Sequence, residues 1–394
     1  MKPVTLDKWL GLRNDVDEDR FDPGDMSEAT NVELDETGKV KRRLGTQRMQ
    51  TGAWHSVWSY GNAAEYGYGV KDGVLHHIDV NGTPTPIVPV KGRRLSYQLI
   101  NGHTFWSDEY DCGVLRGATN RQWGITIPDI TQAVDVVGTM LAGEYMHAMT
   151  YVRDDGRESG APASGITVCN LGGLHFQNLS VSLDPTIKTK RIYLTERDGE
   201  LPFLIAEIPN TDTTLDVYAP EYGMALRTQF FGPPPTAGHM VRYVGGRSII
   251  GSENYLWYSA PHEYELFDLR TGYIGFETEL ETFALLGDGV YVGTTKQIVW
   301  MAGFDPTEWK ARTVFNTGSV RGTEVLIPAD LVGKEGAEGD VMGWFSRRGF
   351  CVGFNGGVMK EVTGTRYIPP IAREGASLLK IRGQSPQVVT TLFN

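Results

Sequence analysis

Residue types that could perform catalysis or bind metal are present in this sequence, but they are scattered. Two histidines, His76 and His77, are adjacent in a stretch of alternating apolar residues. Neighbouring side chains on a strand point to opposite faces of the sheet, so these two rings cannot both bind one metal ion without a β-bulge. The other six histidines have no metal-binding spacing. We therefore predict no metal site and no cofactor.

Three aspartates, Asp72, Asp108 and Asp111, raise the alternative of a glycosidase. A glycosidase needs an acid–base pair of carboxyl groups, or a tyrosine nucleophile beside arginines that hold a substrate carboxylate. Sialidase-type propellers also repeat a Ser-x-Asp-x-Gly-x-Thr-Trp turn, which is absent from this sequence. Turn formation explains these aspartates better, because Asp and Gly both tolerate left-handed backbone conformations.

Sequences for a nucleophile or a phosphate cradle are absent as well. The chain has no Gly-x-Ser-x-Gly elbow and no Gly-Lys-Ser or Gly-Lys-Thr sequence. The stretch 333–340 is rich in glycine and acidic residues, lacks the Walker pattern, and is predicted to be a loop that could gate a channel. We predict no catalytic residue, and we expect the chain not to be an enzyme.

Composition favours an architecture of short strands. The 394 residues include 48 glycines and 10% aromatic residues, and this glycine share is about 12% where about 7% is average. Many strands joined by tight turns have this composition. The chain has a formal net charge of -11, whereas proteins that bind nucleic-acid phosphates tightly are usually rich in Lys and Arg.

Three separated cysteines, Cys112, Cys169 and Cys351, form no disulfide framework and no zinc-binding pair. We expect reduced thiols and assembly in a reducing cytoplasm. The first residues contain no apolar run, so we expect no secretory signal. No stretch reaches the roughly 18 apolar residues of a membrane span, and none is predicted.

Strand–turn units fill two regions, 49–127 and 236–394. Alternating apolar stretches are joined there by Asp-Gly, Asn-Gly and Gly-Gly turns, and Asn-Gly is the strongest short-range hairpin signal. The units recur about every 40 to 55 residues, as expected of propeller blades. We therefore predict an all-β chain whose two regions together form a β-propeller of five or six blades.

The remaining regions differ from the blades. Residues 1–48 are predicted to form an acidic arm and a hairpin whose strands are Val32–Asp35 and Lys39–Arg43. Residues 128–235 show about six short strands with turns between them, which indicates a β-sandwich inserted into the propeller. Within it, Ala133–Leu141 permits a helix by composition.

An ordered set of short motifs runs through most of the chain. Those near the start are Leu10-Gly11-Leu12-Arg13-Asn14, Glu28-Ala29-Thr30-Asn31-Val32, Leu34-Asp35, Gly38 and Arg42-Arg43-Leu44-Gly45. Those of the sandwich are Gly143-Glu144-Tyr145, Thr150-Tyr151-Val152, Gly156, Glu158-Ser159 and Lys190-Arg191-Ile192-Tyr193. Those of the blades are Gly246-Arg247, Leu256-Trp257-Tyr258-Ser259, Asp288-Gly289-Val290-Tyr291-Val292-Gly293, and Gly303-Phe304-Asp305-Pro306 with Trp309. Together they resemble the propeller-type tail nozzle or tail-hub proteins of short-tailed bacteriophages, and the sandwich resembles their fibronectin type III-like insertion.

The resemblance implies a structural virion protein of the phage tail. Its copies would form a ring, six in our expectation, below the portal and adaptor proteins, and would dock tail-fibre or tail-tip proteins. Double-stranded DNA would pass through an acidic lumen during genome ejection. The protein would be assembled in the host cytoplasm and be located in the tail of the virion.

Other uses of these residues are left open. Two basic spots, Lys39–Arg43 and Lys91 with Arg93 and Arg94, could meet a phosphate backbone or an acidic neighbour, or could be solvated strand edges. Eight tryptophans near the strands could pack between blades or stack on sugars; they are Trp54, Trp58, Trp106, Trp123, Trp257, Trp300, Trp309 and Trp344. The competing functions are a carbohydrate-binding or carbohydrate-cleaving propeller and a receptor-binding adhesin.

Overall fold

Short strands and tight turns account for nearly all of the described chain. The computed structural model describes residues 8–35, 37–43, 45, 48, 50–60, 65–91, 94–331, 339–363, 366–382 and 385–394. The chain divides into two compact units. Unit 1 comprises Met1–Ala53, Glu253–Tyr255 and Gly275–Asn394, and unit 2 comprises Trp54–Ser252 and Leu256–Ile274.

The N-terminal part of unit 1 contains two small strand pairs. β1 (Gly11–Leu12) pairs in parallel with β2 (Asp25–Met26), and a 3-10 turn, Glu18–Arg20, lies between them in the chain. β3 (Val32–Leu34) and β4 (Val40–Arg42) are antiparallel. The hairpin predicted for Val32–Arg43 is therefore confirmed.

Two four-stranded sheets open unit 2, each made of strands that follow one another in the chain. The first contains β5 (Trp54–Trp58), β6 (Tyr66–Lys71), β7 (Val74–Asp79) and β8 (Pro84–Pro89). The second contains β9 (Ser96–Ile100), β10 (His103–Ser107), β11 (Cys112–Arg116) and β12 (Thr119–Gln122).

The predicted Asp-Gly and Asn-Gly turns close hairpins in both sheets. Asp72 and Gly73 have φ of 52° and 72°, and Asn101 and Gly102 have φ of 48° and 75°. A two-residue hairpin turn with both central residues in the left-handed region matches the twist of the flanking strands. These dipeptides therefore set the register of β6 on β7 and of β9 on β10.

Two further sheets of unit 2 share one core. A three-stranded sheet has the order β13-β16-β19, and a four-stranded sheet has the order β15-β14-β17-β18. Their inward residues, among them Met149, Phe176 and Ile192, form a single buried cluster, so the two sheets form a sandwich. The strands are β13 (Gln132–Val137), β14 (Gly143–Arg153), β15 (Gly165–Cys169), β16 (Gly172–Gln177), β17 (Ile187–Thr195), β18 (Pro202–Pro209) and β19 (Leu215–Val217).

The helix permitted by composition at Ala133–Leu141 does not form. This stretch contributes most of β13 instead. Val134, Val136 and Val137 are β-branched, and such side chains favour strands because they are crowded against the preceding turn of a helix. Pairing along the whole of β16 then fixes the extended conformation.

A fifth sheet follows the sandwich in the chain. Its strand order is β20-β24-β23-β22-β21, with β25 paired to β23. The strands are β20 (Phe231–Gly232), β21 (Met240–Val244), β22 (Arg247–Ser252), β23 (Tyr255–Ala260), β24 (Glu263–Asp268) and β25 (Tyr273–Gly275).

The C-terminal part of unit 1 repeats the four-stranded pattern twice. One sheet contains β26 (Leu280–Leu286), β27 (Gly289–Thr294), β28 (Ile298–Ala302) and β29 (Arg312–Phe315). The other contains β30 (Val325–Ile327), β31 (Val341–Phe345), β32 (Phe350–Phe354) and β33 (Val358–Glu361), with 3-10 turns at Ala329–Leu331 and Asn355–Gly357. A last hairpin joins β34 (Glu374–Arg382) to β35 (Ser385–Phe393).

Aromatic side chains pack one meander against the next within each unit. Trp58 and Tyr68 of the first sheet stack on Tyr97 of the second, with ring centroids 5.5 and 6.3 Å apart. In unit 1, Tyr291 lies 5.2 Å from Trp344 of the following sheet. Four-stranded meanders packed face to face in chain order have the construction of propeller blades. The chain is therefore an all-β protein of the β-propeller class, while the blade number and the fibronectin type III-like character of the sandwich stay predictions.

Candidate functional site

The adjacent histidines lie on β7 with different surroundings, as the alternation of a strand requires. The Nδ1 of His76 is 2.8 Å from the Val74 carbonyl oxygen, and its ring meets Trp54 edge-on at 5.4 Å. The ring of His77 lies 5.2 Å from Tyr66 instead. Within the described residues, no group of three or more His, Cys, Asp or Glu side chains could hold a metal ion.

The aspartates considered for a glycosidase serve local turns. Asp108 is fully buried, and its carboxylate accepts hydrogen bonds from the backbone N–H groups of Tyr110, Asp111 and Lys91 at 3.0, 2.7 and 3.2 Å. Asp111 pairs with the Lys91 ammonium at 3.5 Å, and Asp72 occupies the β6–β7 turn. The interpretation of Asp108 and Asp72 as turn residues is confirmed.

The first basic spot is an exposed hairpin with acidic neighbours. The Nζ of Lys41 lies 3.1 Å from Oδ2 of Asp35, and the Nε of Arg43 lies 3.8 Å from Oε1 of Glu33. Part of its positive charge is therefore neutralised within unit 1. Arg93, which belongs to the second basic spot, lies outside the described residues. Residues 332–338, which include most of the loop predicted at 333–340, also lie outside them.

Several of the eight tryptophans occupy sheet interfaces rather than solvent. Trp123 is buried, its ring lies 6.2 Å from Phe267, and its indole N–H donates to the Tyr264 carbonyl at 2.9 Å. Trp300 and Trp344 are buried on either side of Tyr291. Packing between sheets, predicted from the sequence, is confirmed for these residues.

The most concentrated group of charges in unit 2 surrounds Glu265. The carboxylate is 7% exposed and accepts two hydrogen bonds from Arg121, both of 2.6 Å. Arg153 donates to both oxygens at 3.0 and 3.3 Å, and Arg157 donates at 2.6 Å. We call these four residues the Glu265 cluster.

Three separate elements supply the Glu265 cluster. Glu265 lies on β24 and Arg121 lies on β12, so two blade sheets meet here. Arg153 ends β14 of the sandwich, and a tight turn closed by the Gly156 N–H on the Arg153 carbonyl at 2.9 Å brings Arg157 back to the same carboxylate. The cluster therefore ties the sandwich to both sheets.

Asp155 adds a second carboxylate beside the arginines of that turn. Its carboxylate accepts from the Arg153 Nε at 3.0 Å and from Nη2 at 2.8 Å, so Arg153 is held between two acids. Burial by itself would raise the pKa of the Glu265 carboxyl, but hydrogen bonds from Arg121 and Arg153 outweigh burial and lower that pKa to about 2. Glu265 is therefore ionised at neutral pH.

The space beside the Glu265 carboxylate is too small for a ligand. The cavity there has a volume of about 10 Å³, which holds at most one water molecule. Three arginines bonded to one carboxylate in a closed space give a fixed joint. Both oxygens of the carboxylate accept from arginines, so the arrangement holds the modules together.

A second polar group lies on the sandwich and gathers residues quoted for the phage resemblance. Glu158 accepts hydrogen bonds from Thr150 Oγ1, from the Tyr193 hydroxyl at 2.6 Å and from Arg191 Nη1 at 2.7 Å. The neighbouring Ser159 Oγ accepts from the Tyr151 N–H at 2.9 Å. Motifs that are separated in sequence therefore form one network across β14 and β17.

The first motif of the chain is anchored within unit 1. Asn14 exchanges two hydrogen bonds with the backbone of Ile368, at 2.8 and 2.7 Å. The neighbouring Arg13 donates to Asp25 at 2.9 Å, and Arg366 bonds to the same carboxylate, whose side chain is fully buried. An apolar cavity of about 500 Å³ lies beside this group.

An open groove borders the sandwich within unit 2. It has a volume of about 740 Å³ and lies between β12 with the following segment up to Asp129 and the loop 180–186. Arg121 reaches its wall but is already bonded to Glu265. Two carboxylates, Asp129 and Asp184, also line it.

Sequence reasoning missed the Glu265 cluster. Glu265 is 144 residues from Arg121 and 112 from Arg153, and no local pattern links positions that far apart. The one available signal was the high density of charge in Arg153-Asp154-Asp155-Gly156-Arg157. Such a turn on a sandwich edge is ordinarily solvated, and only the packing of β24 above it makes it a joint.

Comparisons with known proteins find only distant structural similarity. No family model and no curated protein matches it. Among solved structures, it is similar to the extracellular domain of the one-component system BT4673 from B. thetaiotaomicron, with 9% identity and a TM-score of 0.32 over 85% of this chain and 42% of that one. It is also similar to the N-terminal domain of Nup159, with 10% identity and a TM-score of 0.31 over 86% and 75% of the two chains. A third is Kluyveromyces lactis Hsv2, with 10% identity and a TM-score of 0.28 over 89% and 88%.

Likeness at this level carries no functional assignment. The chain spans less than half the length of the BT4673 domain that it matches. The class of protein, all-β with propeller blades, follows from the meanders and their packing. In the part of the chain that the structure describes, no helix is long and apolar enough to cross a membrane.

Proposed function

We propose that this chain is a structural protein of a phage tail, a ring-forming nozzle or hub below the portal and adaptor. Its copies enclose a channel for double-stranded DNA, and its outer surfaces dock tail-fibre or tail-tip proteins. In this proposal the chain performs no catalysis. The protein belongs to the virion tail and assembles in the host cytoplasm.

The observation that carries the proposal is the Glu265 cluster. A ring needs protomers with two unlike faces held at a constant angle, because small errors accumulate around the ring. A sandwich tied by one buried carboxylate to two blade sheets supplies such a protomer. An enzyme that closes on a substrate would more often keep its modules mobile.

The motif residues add support from a different direction. Thr150, Glu158, Arg191 and Tyr193 belong to the motifs that resemble tail nozzle proteins, and they lie in one hydrogen-bonded network. Residues with a shared structural task are expected to form one network. Arg247 supports the blade motifs in the same way, since its guanidinium donates to the Ser259 carbonyl at 2.8 Å and lies over the Tyr258 ring.

Charge fits a channel that lets DNA slide. Each copy carries a formal net charge of -11, so six copies would carry about -66. Acidic walls repel phosphates, whereas DNA sticks to surfaces that neutralise it with lysine and arginine. We therefore expect the lumen to be lined mainly by Asp, Glu, Gly and small polar side chains.

The test is the assembly state of the full-length chain. The purified protein, alone and with portal and adaptor proteins, is measured by mass photometry and imaged by electron microscopy. We expect closed rings of a single copy number that bind the adaptor end of the portal. A monomer under all of these conditions, or a ring whose channel is lined by Lys and Arg, would overturn the proposal.

The carbohydrate alternative is separated by a glycan array and a glycan-release assay with the same preparation. A structural nozzle gives background signal in both assays. Saturable binding or release, combined with a monomeric mass, would favour the sugar-binding or adhesin class instead.

A further inference from the structure

The hairpin formed by β34 and β35 is long and poorly covered. Each strand has nine residues, and among the described residues no other strand pairs with β35. Leu378 and Ile381 are 56% and 58% exposed, and they lie on opposite faces because they are three residues apart on one strand. A two-stranded hairpin with apolar residues exposed on both faces is marginal in water without a further strand.

Backbone geometry shows which groups of β35 face outward. The Gly375 N–H donates to the Arg321 carbonyl at 2.8 Å, so it points away from β35. Gly375 is paired with Leu392, and in an antiparallel pair facing residues point their backbone groups the same way, inward or outward together. The backbone groups of Leu392, and of Thr390 and Val388 at alternate positions before it, therefore point to the open edge.

The sequence of this edge lacks the usual protection against strand pairing. Pro386 removes one donor near the start of β35, but residues 388–393 read Val-Val-Thr-Thr-Leu-Phe, with no charge and no proline. Uncharged segments of about six residues with high β propensity pair with other strands when exposed. By contrast, β8 carries Pro84, Pro86 and Pro89, which remove backbone donors from an outer strand.

We propose that the open edge of β35 pairs with a strand of a second copy of this chain. Segment 371–394 contains Arg373, Lys380, Arg382 and a single acid, Glu374, which gives a formal charge of +2. Lys380 pairs with Glu33 of the same copy at 2.9 Å, so the positive charge left for a neighbour is that of Arg373 and Arg382. Since the whole chain carries -11, the other residues together carry -13. A basic hairpin on an acidic body is complementary to the body of the next copy, which favours head-to-tail contact.

This inference deepens the proposed function, because it names the element through which one protomer of the ring holds the next. The contact is heterologous, so repeated copies propagate until the ring closes. The affinity comes from backbone hydrogen bonds, as in other cases of strand addition.

The experiment uses the full-length chain with Thr390→Pro, which removes one outward N–H. Thr390→Ala is the matched control, since both variants lose the hydroxyl that lies 2.8 Å from Ser377 Oγ. Mass photometry is expected to show rings for the natural chain and for T390A, and mainly monomers for T390P, with at least a tenfold weaker association. A second variant, Thr391→Asp, places a negative charge on the same strand and is expected to weaken association with the acidic body of the next copy as well.

Hydrogen exchange distinguishes pairing from misfolding. In rings, the amides of Val388 and Leu392 are expected to exchange at least tenfold more slowly than in T390P monomers, while the amides of β31 and β32 stay equally protected in both. Rings formed by T390P at natural affinity, or rings in which these two amides exchange freely, would overturn the hairpin contact and leave the ring proposal standing. A natural chain that remains monomeric would overturn both.

Discussion

The Glu265 cluster and the β34–β35 hairpin differ in whether their polar groups are hydrogen-bonded. Around Glu265, both oxygens of a buried carboxylate accept hydrogen bonds from arginines, and the adjoining cavity has a volume of only about 10 Å³. In the hairpin, one strand has backbone groups that face no described strand. Saturated polar groups fix parts of one chain together, whereas an unsaturated edge directs the chain towards a partner. The same protein therefore contains a joint whose carboxylate is fully hydrogen-bonded and a strand edge whose backbone groups pair with no described strand.

The largest effect on stability is expected from removing the negative charge of Glu265. Glu265→Gln leaves Arg121 without its carboxylate partner and leaves Arg153 and Arg157 with Asp155 alone, and removing one partner of a buried ion pair costs about 3–5 kcal/mol. We expect the free energy of unfolding, measured by urea titration, to fall by this amount. Glu221→Gln, at an exposed position of unit 2, is the control. Equal losses in the two variants would show that the cluster is not a special joint.

Acid is expected to weaken the sandwich through His147. Its Nδ1 lies 2.6 Å from Thr131 Oγ1, and burial lowers its pKa from 6.5 to about 4. The unfolded chain therefore binds a proton between pH 6.5 and 4 while the folded chain does not, so stability falls as the pH drops through this window. At about 1.4 kcal/mol per pKa unit, the loss is about 3 kcal/mol by pH 4.

The control for that window is His147→Gln, which does not titrate there. Urea unfolding at pH 7, 5.5 and 4 should show a flatter dependence for H147Q than for the natural chain. Parallel curves for the two proteins would assign the acid sensitivity to other groups.

A smaller effect is expected in the turn that carries Arg157. Gly156 has φ of 82° and open space around a Cβ, so Gly156→Ala introduces backbone strain of about 1–2 kcal/mol without a clash. Gly102→Ala, at φ of 75° and equally open, is a matched change outside the joint. A greater loss of stability for G156A than for G102A would measure how much the turn contributes by placing Arg157.

The smallest effect on stability is expected from opening a protected edge. The double change Pro84→Thr with Pro86→Thr restores two backbone donors on β8, and surface changes of this kind shift stability within about 0.5 kcal/mol. Made in the T390P chain, which is expected to be monomeric, the double change should nevertheless add concentration-dependent association in sedimentation velocity. If association is unchanged, prolines are not what keeps β8 from pairing.

Local structure could be predicted from the sequence, whereas the joint could not. Asp72-Gly73 and Asn101-Gly102 identified their hairpins because a two-residue turn depends only on its own backbone preferences. The strand at Ala133–Val137 required its partner β16 to decide between helix and strand. Glu265 and its arginines depend on contacts across more than 100 residues, which no short pattern encodes.

The length of β14 has a mechanical consequence. This strand runs from Gly143 to Arg153, is hydrogen-bonded by β15 on one side and by β17 on the other, and ends in the Glu265 cluster. A force that pulls along it loads those flanking bonds together in shear rather than breaking them one at a time. The strand therefore transmits tension to Arg153 with little extension. Under load we expect the sandwich and the blade sheets bonded to Glu265 to move together before β14 separates from its neighbouring strands.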